Sequence, residues 1–234
     1  MKKLISILFI SGAVWAADNE IYVDQSGASS SIDLEQIGSG NLIGGLNAAA
    51  GNMTPLDLDG TSMTLDINQI GSSNIFRGDI TADSYTGYFN FSGSSNNFTM
   101  QTDPTNTYGA DTSDVNVDVT GSSNTFTLNQ ATSAMASTLD LDWTINGSNN
   151  SVTAAIDYDT ATNYMDIDGD DNAVTLDADG YAGGYFYLDQ TGNSRTFNVT
   201  QQSTLDNDWL KILSTGSNGT ICVNQDDGGT AVGC

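Results

Sequence analysis

The 234-residue sequence predicts an all-β protein, a β-solenoid of stacked strand-turn-strand repeats with two facing parallel sheets, and three observations carry that prediction. The composition is rich in Gly, Ser, Thr and Asn, with 25 Gly but only 2 Pro and 5 Lys plus Arg. Strand and turn formers therefore outweigh helix formers. A small polar tetrapeptide, GSSN, occurs at residues 71–74, again at 93–96 and again at 121–124. On either side of it apolar residues alternate with polar ones, the period of a strand with one buried and one wet face.

Residues 1–16, MKKLISILFISGAVWA, join Lys2 and Lys3 to an apolar run from Leu4 to Ile10 and end on small residues. They read as a secretory signal peptide cleaved after Ala16 or Ala17, with an apolar run too short for a membrane span. Residues 17–225 hold the repeats. A partial copy, IYVDQSGASS, carries Gly27, and the later copies place their glycine at 38, 71, 93, 121, 147, 169, 192 and 216, at intervals of 22 to 33 residues. Spacing of this size marks a repeat architecture. Counting back from the glycine by twos gives Gln36, Leu34 and Ile32 in one copy, Gln69, Ile67 and Leu65 in the next, and Ile145, Trp143 and Leu141 further on. After the turn the alternation resumes with Phe76, with Phe98 and Met100, with Phe126 and Leu128, and with Val174 and Leu176. Residues 226–234 remain as a C-terminal tail.

The turn has a physical logic. Glycine takes a positive φ at little steric cost, and an Asn three residues on bonds nearby backbone or adopts a left-handed conformation itself. The predicted turn pairs are Gly38 with Asn41, Gly71 with Asn74, Gly93 with Asn96, Gly121 with Asn124, Gly147 with Asn150, and Gly169 with Asn172. Gly192 and Gly216 complete the series without the Asn, and Arg195 replaces it in the first of these two copies. One unit cannot bury its own apolar face, whereas units stacked at roughly 4.8 Å share a core, and eight or nine of them would span about 40 Å.

The stretches IYVDQSGASSSIDLEQIGSGN, LDINQIGSSNIF and YLDQTGNSRTFNVTQ resemble curlin repeats, the Q-x-G-x-x-N units of secreted bacterial proteins that build curli fibres, over roughly Ile21 to Gln225. The resemblance implies one rung per repeat and stacking between molecules into an extracellular functional amyloid with roles in adhesion and biofilm. It further implies an extracellular or cell-surface location on a bacterium, copies of itself or related subunits as partners, and export and nucleation helpers. Amide ladders are implied as well: Gln25, Gln36, Gln69 and Gln190 precede a glycine by two, while Gln130, Gln201 and Gln225 close the following strand. Phe91, Val119, Ile145, Ile167 and Ser214 take the first Gln position elsewhere. The alternative is a self-contained, capped solenoid that serves as an adhesin or surface-binding protein without polymerising. The two differ in whether an end edge is left open.

The formal net charge is −24, and no His is present. Once the leader is removed, Arg77, Arg195 and Lys211 are the cations left against 29 acids. Such a chain is repelled by nucleic acid. Asp24, Asp33, Glu35, Asp66, Asp118, Asp140, Asp142, Asp166 and Asp189 occupy outward strand positions, so stacking sets carboxylates of neighbouring rungs side by side. High ionic strength or divalent cations are therefore expected to favour the fold or its assembly.

DIDGDDN offers Asp166, Asp168 and Asp170 as candidate calcium ligands. The same segment aligns with the ordinary repeat turn and lacks the bidentate Glu of an EF-hand, which favours a solvated acidic turn, and no cofactor is expected. Without His, and with no carboxylate pair set apart from the rest, enzyme activity is not expected. In an exported chain Cys222 and Cys234 are expected to close a small C-terminal loop by a disulfide. Tyr85, Tyr88, Tyr108, Tyr158, Tyr181 and Tyr185 fall in or near the arcs between rungs, where they pack against the flanks or meet a surface ligand.

Overall fold

The structure, a computed structural model, describes residues 19–44, 46–47, 52–53, 56–102, 112–130, 136–203 and 208–227. The leader, Tyr108 and Cys234 lie outside the described residues. In chain order the first strands are β1 (Asn19–Ile21), β2 (Asp24–Ser26), β3 (Ser29–Gly38), β4 (Asn41–Ile43), β5 (Leu46–Asn47), β6 (Asn52–Met53), β7 (Leu56–Gly71) and β8 (Ser73–Ser92). They are followed by β9 (Ser95–Thr102), β10 (Thr112–Thr120), β11 (Thr125–Gln130), β12 (Ala136–Asn146) and β13 (Ser151–Asp168). The last are β14 (Ala173–Thr191), β15 (Thr196–Ser203), β16 (Trp209–Thr215) and β17 (Thr220–Asp227).

These strands wind into a parallel β-solenoid of about seven turns. Fifteen strands belong to one hydrogen-bonded network, while β5 and β6 pair antiparallel apart from it. A front row runs through β3, β7, β8, β10, β12, β13, β14 and β16. Behind it a second row runs through β1, β4, β8, β9, β11, β13, β14, β15 and β17. β7, β8, β13 and β14 belong to both rows because each continues round the arc that joins them, and β2 extends the second row by pairing with the first residues of β7.

Alternation along each strand becomes columns along the stack. In the front row Leu34, Ile67, Phe89, Val117, Trp143, Met165 and Leu188 lie in register, and all are buried. From the back row Ile43, Phe76, Phe98, Phe126, Val152, Val174 and Phe197 face them, equally buried. Phe76 and Phe98 stack with centroids 5.1 Å apart, and Phe89 meets each of them edge-on at 5.1 Å. Burying one aromatic or branched side chain stabilises a fold by about 1.5–3 kcal/mol, so the shared columns supply what a single rung lacks.

The uneven intervals have a geometric cause. Turns of 22 residues, as between Gly71 and Gly93, take the shortest route. Thr102 and Thr112 pair with Ile80 and Ser84, so the added length of the 28-residue interval falls between Thr102 and Thr112 in the sequence. The 33-residue interval instead breaks the back row between Ile43, which pairs with Phe76, and Leu56, which pairs with Gly78. The G-x-x-N edge keeps one length throughout, and the variation falls elsewhere in each turn.

Candidate functional site

The G-x-x-N edge brings the backbones of successive rungs into close contact. Gly121 N–H donates to the Asn146 carbonyl at 2.9 Å, and Gly147 N–H donates to Asp168 at 2.8 Å. A Cβ on Gly147 would stand 1.4 Å from the Gly121 carbonyl oxygen, and the backbone there has φ +143°. Glycine is thus required by the approach of the neighbouring rung as well as by its own conformation. The left-handed residue of the turn is not the Asn. Ser123, Asn149, Asp171, Ser194 and Asn218 hold φ between 56° and 70°, each two residues after its glycine. That leaves the fourth residue free to point its side chain inward.

Those inward side chains form a ladder. Asn19 Nδ2 donates to Asn41 Oδ1 at 3.1 Å, Asn41 to Asn74 at 3.0 Å, Asn74 to Asn96 at 2.8 Å, Asn96 to Asn124 at 2.9 Å, and Asn124 to Asn150 at 2.9 Å. Each member from Asn41 onward is buried. At Asn150 the pattern changes: its backbone N–H donates to Asn172 Oδ1 at 3.0 Å, and its amide turns back to Gly147 at 2.6 Å. Arg195 occupies the following place and is 4 % exposed, with one guanidinium N–H reaching the Gln190 carbonyl at 3.4 Å. Gly219, opposite it in the last turn, leaves the space the guanidinium fills. Asn19 was not anticipated, although Asn19-x-Ile21 repeats the spacing of Asn41-x-Ile43 and Asn74-x-Phe76.

The glutamines divide between two columns. Gln36 and Gln69 are neighbours in the front row, and Gln69 donates to Gln36 at 2.7 Å. Gln190 shares their column but lies between Ile167 and Ser214, and neither of its buried amide atoms has a partner. Gln25 departs from the sequence expectation. It pairs with Leu58 and belongs to the back-row column of Gln130, Gln201 and Gln225. The glycine beside it, Gly27, sits at the opposite arc against Gly60 and not at the turn edge. Gln225 donates to Gln201 at 3.3 Å. Gln130 is instead built into a buried cluster with Tyr85, Thr102 and Ser113. Burial pushes the Tyr85 hydroxyl well above the usual phenol range.

Both ends of the stack leave core columns incompletely covered. Ile21 and Val23 at one end, and Leu210 and Ile212 at the other, are only partly buried, and Ile221 and Val223 on β17 are 49 % and 42 % exposed. Among the described residues, no strand lies beyond β1, β2 and β3 at the first end or beyond β16 and β17 at the last. No family model, curated protein or solved structure matches the chain.

The acids do stack. Asp33 pairs with Asp66, Asp57 with both Asp24 and Asp79, and Asp166 with Asp189. Burial, then Asp59 and Asp24, raises Asp57, while burial followed by Asp168, Asp189 and Asp142 raises Asp166. Asp170 is engaged in the turn, where it accepts from Asn193 N–H at 2.6 Å and from its side-chain amide at 3.1 Å. Asp166 and Asp168 project from β13, and among the described residues no group of three acids, His or Cys is arranged to hold a metal ion. Cys222 on β17 is not free, and its expected partner Cys234 lies outside the described residues. Tyr85 and Tyr158 are core residues, whereas Tyr88, Tyr181 and Tyr185 are exposed.

Proposed function

We propose that this chain is a secreted, curlin-like structural subunit that assembles rung on rung through its two end faces into a fibre or extracellular matrix. The observation that carries this reading is the continuation of the interior columns to both ends, where Ile21, Val23, Leu210 and Ile212 stand only partly covered. An edge of this kind presents unpaired N–H and C=O groups beside uncovered apolar side chains, which is what a second copy in the same register satisfies. The amide ladder supports the same reading. It begins at an exposed Asn19 whose amide already follows the interior pattern. Adhesion and biofilm roles, bacterial surface location and the absence of catalysis belong to this proposal.

Blocking variants test it. Ile21→Lys and Ile212→Lys put a charge at the outermost, partly buried member of a core column on each end face, and each is expected to suppress fibre growth while the far-UV circular dichroism of the interior rungs stays β-rich. Unaltered growth in the double variant would rule out end-face stacking, and an unaltered chain that forms no fibres would favour the self-contained, capped solenoid.

A further inference from the structure

Positions five residues before each turn glycine face outward on the front row, and there Asp66, Tyr88, Asn116, Asp142, Tyr164 and Tyr187 follow one another in register. Tyr88 is 48 % exposed and Tyr164 41 %. Where the Tyr88 ring is followed by the shorter Asn116 and Asp142, a groove of about 210 Å³ runs beside the column, with Asp66, Asp118, Asn90 and Thr144 among its walls. Further along the same column the Tyr164 and Tyr187 rings stack at 5.0 Å and 7°. Beyond them the Lys211 ammonium lies 4.8 Å from the Tyr187 centroid.

We propose that this groove, with the tyrosine column in line with it, binds a linear polysaccharide bearing free amino groups, laid along the solenoid axis. Tyrosine rings offer apolar surface to sugar C–H groups, while the carboxylates and amides around Asn116 accept and donate to hydroxyls and pair with an ammonium. Lys211 shows that the column already accommodates an ammonium against a ring. The formal charge of −24 draws a cationic polymer in and repels both anionic glycans and a second copy of this face. A purely basic peptide would be served equally well by any stretch of the acidic surface, whereas the groove adds ring and amide contacts that suit a hydroxylated chain. The site lies on the side of the stack, so it is independent of end-face assembly and stays open within a fibre.

The test is calorimetric titration of the mature, monomeric chain at physiological ionic strength with a short β-1,4-linked glucosamine oligomer. The same oligomer in fully N-acetylated form and a lysine oligomer serve as comparisons. Saturable binding is expected, weakened roughly tenfold or more by N-acetylation and to a similar degree by Tyr88→Ala or Asp118→Asn, and largely retained by Tyr88→Phe. Both positions face solvent, so melting temperature should hardly change and a lost affinity is not lost fold. Absence of binding overturns the proposal. So does binding that the lysine oligomer matches and Tyr88→Ala leaves intact, which would mark diffuse charge attraction.

Discussion

Asn124 shows most clearly how a single side chain serves the stack. Its side-chain oxygen accepts from Asn96 and its amide donates to Asn150, both away from water, and the amide also donates to the Gly121 carbonyl at the partly buried turn. Asn124→Ala leaves the Asn96 amide with only its longer contacts to Gly93 and Thr120 and takes the donor from Asn150 Oδ1, and is expected to cost about 1–3 kcal/mol in urea unfolding. Asn163 presents the opposite case. It is 1 % exposed between Leu141 and Phe186, and neither side-chain atom has a partner. Asn163→Leu should therefore stabilise the fold, by about 1–3 kcal/mol in the same measurement, since it removes an unpaired buried amide. At Gly147 the neighbouring carbonyl forbids any side chain, and Gly147→Ala should destabilise by more than the roughly 1 kcal/mol typical of a point mutation.

At the scale of the strand and turn, much was legible because period two and the glycine spacing are local signals. The Asn column followed from them, since a fixed offset from a regular turn becomes a fixed place in the stack. Gln25 was misplaced because a glycine alone set its phase. Gly27 belongs to the far arc, and only the pairing of β2 with β7 reveals that. The tyrosine column escaped for a related reason: Tyr88 alone read as an arc residue, and only the register sets Tyr164 against Tyr187. Strand pairing also controls ionisation. Burial and the carboxylates of Asp179, its partner in register, and of Asp177 push Asp157 up to about 6. The unfolded chain releases this proton near pH ~4 while the fold retains it to about 6, so stability falls as pH rises across that window and levels above it. The melting temperature should be higher at about pH 4.5 than at pH ~7, and Asp157→Asn should flatten part of that slope.

For the whole molecule the balance lies between apolar columns that favour stacking and like charges that oppose it. The pairs Asp33 with Asp66 and Asp166 with Asp189 sit one strand apart, on the order of 5 Å, inside the screening length of about 8 Å at physiological ionic strength. Added sodium chloride should therefore raise the melting temperature and speed assembly, and a melting curve indifferent to salt would show that the acids are already accommodated. The charge was plain in the composition, but its pairing was not, because which acids meet depends on the register of distant rungs. The central claim is that the end faces of one copy continue into the next. Fibre diffraction from the mature chain, incubated in saline with preformed seeds, tests it most directly. The account predicts aligned fibrils with a meridional reflection near 4.8 Å and an equatorial one near 10 Å. A chain that stays β-rich and monomeric under seeding would contradict it.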